Sequence, residues 1–316
     1  MIETKGLRKS FRSRKNTVEA VRNVDLTVRE GEIFGFLGPN GAGKTTTLRM
    51  LTTLVEPDGG EARIAGADLR RAPGEVRARI GYVAQGGSTW NDVSAREELV
   101  YQARLYGVGR TEARERAERA IRAFDLEGFA DRLCKTYSGG QRRRLDVALS
   151  VIHEPRLVFF DEPTTGLDPQ SRTRMWDEVG RLRDEGMTVF LTTHYLDEAD
   201  TLCDRIAIMD HGEIVAEGTP SELKREITGD IVTVGFTEAA LAAAELLERE
   251  PYVRKVETHA ETLRLYVDAG ATALPRILRV LDASGISPDR IELHRPSLDD
   301  VFLTKTGRML RDVPTA

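Results

Sequence analysis

The chain has 316 residues, 31% charged and 40% hydrophobic, enough for two domains that each bury a core. Its formal charge of -5 supplies no net basic field, so a nucleic-acid partner is not expected. The two cysteines, Cys134 and Cys203, are far apart and form no ligand pattern, which reads as buried thiols in a reducing compartment rather than a disulfide scaffold. The opening MIETKGLRKSF has no apolar signal core, and nowhere do eighteen apolar residues run together. The chain is therefore expected to be neither secreted nor membrane-spanning by itself.

In chain order, residues 1–30 alternate apolar and polar side chains, with Val24, Leu26 and Val28 in phase, as antiparallel strands with one solvated face do. IFGFLG (Ile33 to Gly38) is a continuous apolar run that ends in a glycine loop, and TTTLRMLTTL follows with helical spacing. From Val93 to about Ala130 the pattern is helical, with Ser94 and Glu97 placed as a capping box. KTYSGGQRRR (Lys135 to Arg144) looks like a helix start suited to an anion, through its free N–H groups and positive dipole. LVFFD and TVFLTTH are short buried runs flanking a helix from Ser171 to Glu185, which implies parallel strands with crossover helices. RIAIMDHGEIVAEG reads as a hairpin, and Thr219, Pro220 and Glu222 form a helix start that closes the large domain. Beyond Ile227 the order becomes βαββαβ, a ferredoxin-like split fold. It ends in LDDVFL, where Leu298, Val301 and Phe302 share one helical face, expected to dock the module on the first domain or on a partner.

Three stretches carry chemistry. GPNGAGKTT meets the phosphate-loop pattern at Gly38, Gly43, Lys44 and Thr45. Its glycines let backbone N–H groups approach phosphates, Lys44 reaches the β and γ oxygens, and Thr45 is placed for Mg²⁺. At the end of LVFFDE, Asp161 suits the Mg²⁺ shell and Glu162 the base that polarises water. His194 ends the next buried run, where an imidazole can bond a γ-phosphate and orient the attacking water.

A phosphate loop, a helical insert, YSGGQ and then DE, in that order, resemble the ATP-binding subunits of ATP-binding-cassette (ABC) transporters over residues 1 to about 222. The resemblance implies that Gly38, Pro39, Asn40, Gly41, Ala42, Gly43, Lys44, Thr45 and Thr46 hold ATP. It implies that Ser138, Gly139 and Gly140 complete the site of a second subunit set head to tail, so that two chains enclose two ATP. By the same resemblance GYVAQ makes Gln85 a contact to Mg²⁺ or water and a link to the membrane subunit. TGLDP puts Asp168 at the dimer seam, His194 is the switch histidine, and Phe11 stacks on adenine. Catalysis then falls to Glu162, His194, Lys44 and Gln85, and Mg²⁺ to Thr45, Gln85 and Asp161. Tyr137, Ala84 and Phe11 stand where leucine, proline and tyrosine are commoner, and none of them faces phosphate.

KTYSGGQRRRLDVA, DEPTTGLDPQSR, LTTHYLDEADTLCDRIAIMDHG and LDDVFLTKTG are more narrowly similar to the ATPase subunits of drug and antibiotic self-resistance exporters of the daunorubicin-resistance type. The fold expected is thus α/β: an ABC ATPase domain at 1–225, with a mixed-sheet core, an antiparallel β edge and a helical insert, then a ferredoxin-like α+β accessory domain and tail at 226–316. The function implied is an ATPase that dimerises on two ATP with Mg²⁺ and drives a separate permease from the cytoplasmic face of the membrane. An importer with a ligand-sensing tail is the rival. A soluble cassette ATPase would need two cassettes or a long coiled-coil insert, and a GTPase an NKxD motif; none is present.

Overall fold

In the computed structural model, residues 1–12, 17–227, 229–236, 240–259, 262–294 and 296–307 are described. They form two compact units, with the break at Glu217/Gly218.

The first unit begins with β1 (Ile2–Arg12) and β2 (Thr17–Val28), an antiparallel pair. It continues through β3 (Ile33–Leu37), α1 (Lys44–Leu51), β4 (Gly59–Ile64), β5 (Ala67–Asp68), α2 (Pro73–Arg79) and β6 (Ile80–Val83). Next come α3 (Ala95–Leu105), α4 (Arg110–Ala123), α5 (Gly139–Val151), β7 (Leu157–Asp161) and α6 (Pro169–Asp184). β8 (Thr188–Thr193), α7 (Leu196–Leu202), β9 (Arg205–Asp210) and β10 (Glu213–Gly218) complete it. The central sheet runs β10-β9-β3-β8-β7-β6, with β9, β3, β8, β7 and β6 parallel along it. All five positions of β3 and of β7 and all six of β8 are buried, which is why these strands read as continuous apolar runs. The antiparallel strands make a sheet of their own, β2-β1-β4-β5, and Val24, Leu26 and Val28 pack into one core with Phe34, Phe36 and Leu48.

Helix starts follow local chemistry. Ser94 and Glu97 form the expected capping box on α3, and Ser138 with Gln141 forms another on α5. α6 starts at Pro169, two residues before the expected Ser171, because Asp168 accepts from the Ser171 N–H and Pro169 fits the first turn. Tyr137 is buried, and its hydroxyl donates to the Phe129 carbonyl at 2.8 Å, so the site has a partner for the oxygen that a leucine would lack. Both cysteines are buried, and burial pushes the Cys134 thiol up to about 11.

The second unit holds α8 (Pro220–Ile227), β11 (Asp230–Gly235), α9 (Ala240–Leu247), β12 (Val253–His259), β13 (Thr262–Val267), α10 (Gly270–Ala283), β14 (Arg290–His294) and α11 (Leu298–Thr306). Its sheet order, β12-β13-β11-β14 with every pair antiparallel, is the ferredoxin-like arrangement. Thr219 and Glu222 exchange their capping bonds at 2.9 and 3.1 Å at the head of α8. The helix that α11 meets is the one expected to close the first domain, and it falls in the second unit. Leu298, Val301 and Phe302 are buried, and α11 lies against α8 inside the same unit, so this face is not left free for a partner. Phe302→Ala should therefore destabilise the full chain by about 3–5 kcal/mol, read from its denaturant midpoint; an unmoved midpoint would mean the ring is not packed.

Candidate functional site

The phosphate loop leaves β3 and enters α1 between two close approaches. A Cβ on Gly38 would lie 2.3 Å from the Met209 carbonyl oxygen. One on Gly43, whose φ is +110°, would lie 2.3 Å from the Ala20 carbonyl oxygen. Neither position tolerates a side chain. Gly41, at φ +80°, has nothing within 4 Å of its would-be Cβ, so the crest of the loop is open where the backbone must meet a ligand. The first N–H groups of α1, as at any helix start, have no intrahelical acceptor.

The ends of β7 and β8 bring the chemistry to this loop. Lys44 is 4% exposed, and its ammonium donates to the carbonyls of Gly38 (2.6 Å) and Pro39 (3.1 Å) and stands 3.7 Å from Glu162 Oε1. Burial lowers its pKa, and the charges of Glu162 and Asp161 oppose that shift. Glu162 has φ +47°, left-handed for a residue with a side chain, and its N–H is held by the Thr192 carbonyl (3.2 Å) and hydroxyl (3.0 Å). Its Oε2 accepts from Gln85 Nε2 (2.9 Å) and from the Thr165 hydroxyl (3.2 Å). His194 Nδ1 stands 3.3 Å from the same oxygen, near enough for an ion pair but out of line for a directed hydrogen bond. Burial pushes the Glu162 carboxyl up, but the His194 ring, the Lys44 charge and the Thr165 bond outweigh it and hold it below the usual range, ionised at neutral pH. Asp161 Oδ1 accepts from the hydroxyls of Thr192 (2.8 Å) and Thr45 (3.2 Å).

Lys44, Thr45, Gln85, Asp161, Glu162 and His194 thus converge. The other expected residues lie elsewhere. Ser138 and Gly140 line a separate cleft of 170 Å³ with Leu167, Ser171 and Arg174, and the side-chain bonds of Ser138 stay within its own helix start. Asp168 adjoins this cleft through its bonds to Ser171. Phe11, 46% exposed, ends β1 opposite Val18, with the Lys9 ammonium 5.7 Å from its ring. Sequence reasoning missed Thr192 and Thr165. The signal for Thr192 was a threonine pair, Thr192 and Thr193, at the end of a buried run whose middle is apolar.

The arrangement defines a phosphate-loop ATPase: an anion cradle, a buried lysine, and two carboxylates held in different ways. The ABC transporter family matches residues 21–165, and the family described as ATP-binding protein DrrA1-3-like, C-terminal domain matches residues 218–306. The chain is 45% identical to the daunorubicin/doxorubicin resistance ATP-binding protein DrrA of Streptomyces peucetius, covering 99% of this chain and 94% of that protein. It is 35% identical to the linearmycin resistance ATP-binding protein LnrL of Bacillus subtilis, covering 99% and 100%. The dimeric post-hydrolysis structure of the ATP-binding cassette MJ0796 bound to ADP and Pi is similar at TM-score 0.64 and 27% identity, over 69% of this chain and 98% of that one. The chain belongs to the ATP-binding subunits of ABC transporters, in the daunorubicin-resistance group, and is an ATPase.

Thr192→Val keeps the shape but removes the hydroxyl shared by Asp161 and the Glu162 N–H. It should cost about 0.5–1.5 kcal/mol in a denaturant titration, because Asp161 Oδ1 loses the nearer of its two hydroxyl donors and the Glu162 N–H one of its two acceptors; no loss would show that the hydroxyl links nothing.

Proposed function

We propose that the chain powers export of an antibiotic-like compound through a separate membrane-spanning permease, as one of two identical ATPase subunits at the cytoplasmic face of the membrane. The observation that carries the ATPase reading is the convergence of Lys44, Gln85, Thr165 and His194 on the Glu162 carboxylate. The cargo reading rests on the resistance relatives, which match nearly the whole chain at 35 to 45% identity. They are ATP-binding proteins of resistance, which does not favour the importer. Among the described residues no helix is long and apolar enough to cross a membrane, so the path for cargo belongs to a partner.

The first unit carries the nucleotide chemistry and the second an accessory role. Residues Gly38 to Thr46 cradle the phosphates with backbone N–H groups, and Lys44 draws the γ-phosphoryl oxygens toward the carboxylates. Glu162, ionised and aimed into the site, takes the proton of the attacking water, while Gln85 and His194 hold the water and the γ-phosphate in line. Phe11 stacks on adenine. Ser138, Gly139 and Gly140 close on the nucleotide of the second subunit, with Asp168 at the seam, which makes two composite sites.

The donor set fits Mg²⁺. Thr45 Oγ1 and Asp161 Oδ1 are 3.2 Å apart, both oxygen ligands, and among the described residues no three His, Cys, Asp or Glu side chains could cage a metal alone. Such a set suits a cation that keeps waters and phosphate oxygens in its shell, with Gln85 as a further contact. Bound there with the nucleotide, Mg²⁺ offsets phosphate charge in the transition state.

Glu162→Gln keeps the shape and removes the base. Turnover should fall by about 10² to 10⁴, while ATP still binds and holds the dimer; wild-type phosphate release would sink the assignment. The trans arrangement has its own test. A Ser138→Arg chain mixed with a Lys44→Ala chain should regain some activity, since one site then carries both lesions and the other neither. If subunits exchange and no intact site forms in an ATP-trapping assay, the signature does not serve the opposite nucleotide.

A further inference from the structure

α5 carries a buried arginine one turn in from Ser138. Arg143 is 6% exposed, its Nη1 donates to the Ala84 carbonyl at 2.7 Å and its Nε to the Pro163 carbonyl at 2.9 Å. Ala84 immediately precedes Gln85, and Pro163 immediately follows Glu162. One guanidinium therefore ties together the backbones next to two side chains that are themselves bonded at 2.9 Å. Three residues along the same face, Asp146 Oδ1 accepts from the Ser88 N–H (2.8 Å) and the Ser88 hydroxyl (3.3 Å). Between these two anchors Gly87 has φ +74°, and a Cβ there would lie 2.8 Å from Asp146 Oδ2. Residues 84–88 are thus gripped by α5 on both flanks of Gln85.

Stability alone is a poor reason for this arginine. A buried guanidinium gives up its hydration, and Nη2 of Arg143 has no hydrogen-bond partner among the described residues. What it does provide is geometry: a rigid planar fork sets the distance and angle between two carbonyls, which an ammonium on a flexible stem does not.

We propose that Arg143 is a positioning residue: with Asp146 it clamps the Gln85 loop and the Glu162 loop to α5, so that the helix beginning at Ser138 sets the catalytic carboxylate. The clamp deepens the reading of Glu162 and Gln85 given above and rests on it. Any shift of the Ser138 end of α5, where the second subunit's nucleotide is proposed to sit, is then carried through one helical turn to Glu162 of the same chain. Each site's hydrolysis geometry thereby depends on the occupancy of the other.

The test uses the purified full chain with Arg143→Lys, which keeps the charge but cannot hold both carbonyls in one fork. Turnover at saturating Mg-ATP should fall by about 10²-fold, the scale of a small misplacement of reacting groups, with the ATP dissociation constant unmoved. An arginine that only staples the core would weaken ATP binding along with turnover, and that result overturns the clamp. So does wild-type turnover in the variant. If Arg143→Lys does not fold, Arg143→Gln, neutral and able to reach one carbonyl, is judged by the same criteria. Glu162→Gln run alongside separates the two readings. If it is inactive while the Arg143 variant is normal, the clamp alone falls; if it turns over normally, the role of Glu162 falls and the clamp with it.

Discussion

The Glu162 carboxylate is the group on which the first unit turns. A carboxylate that is 7% exposed survives ionised only where positive charge and hydrogen-bond donors meet it, and here they come from four separate stretches of chain. Lys44 arrives from the phosphate loop, Gln85 from the loop after β6, Thr165 from its own turn and His194 from the end of β8. Parallel strands make this possible. Their C-terminal ends lie side by side, so loops that are distant in sequence open onto one edge of the sheet. The left-handed backbone at Glu162 costs about 1–3 kcal/mol and is held by Thr192 from the neighbouring strand. Removing Lys44 takes away the ammonium that compensates this buried charge, and removing Gln85 or Thr165 takes away a neutral donor.

Asp161 and Glu162 are adjacent in sequence yet differ in surroundings. Asp161 meets two hydroxyls, from Thr45 and Thr192, and its charge acts on Lys44 from farther away than that of Glu162. Glu162 faces Lys44 and His194. A carboxylate among neutral oxygen donors is suited to a hard cation, and one against an ammonium and an imidazole is suited to remain charged and accept a proton. The difference in surroundings follows from the backbone: Asp161 is the last residue of β7, while Glu162 lies past the strand with φ +47°, which breaks the pleat and turns its side chain separately.

Most of the fold was readable because its decisive residues act locally. The glycines at 38 and 43, the boxes Ser94–Glu97 and Thr219–Glu222, and the apolar runs of β3, β7 and β8 each state their conformation within a few residues. Apart from Thr165, which acts three residues from Glu162, what the sequence did not show is long-range pairing. Thr192 matters through a residue 31 positions away, and Gln85 and Glu162 meet across 77. β4 joins β1 in the antiparallel sheet, although its short GGEARI run gives little strand signal. α11 showed its apolar face plainly, but amphipathicity tells that a face is buried, not against what, and α8 covers it.

Two anion cradles on one chain pose a geometric question that the bonds of α5 help to answer. The Ser138 end of that helix lies in a different cleft from Lys44, so it adds nothing to its own site directly. Its far side, through Arg143 and Asp146, grips the loops that carry Gln85 and Glu162. The first two turns of α5 thus hold the loops of their own chain, while the proposal gives the Ser138 cap that precedes them to the phosphate of the second chain. In a symmetric pair the same arrangement recurs in both directions, since an isologous interface repeats each contact. In the proposed pairing each site would draw its signature serine from the other chain, and α5 would carry that contact to the loops of Gln85 and Glu162.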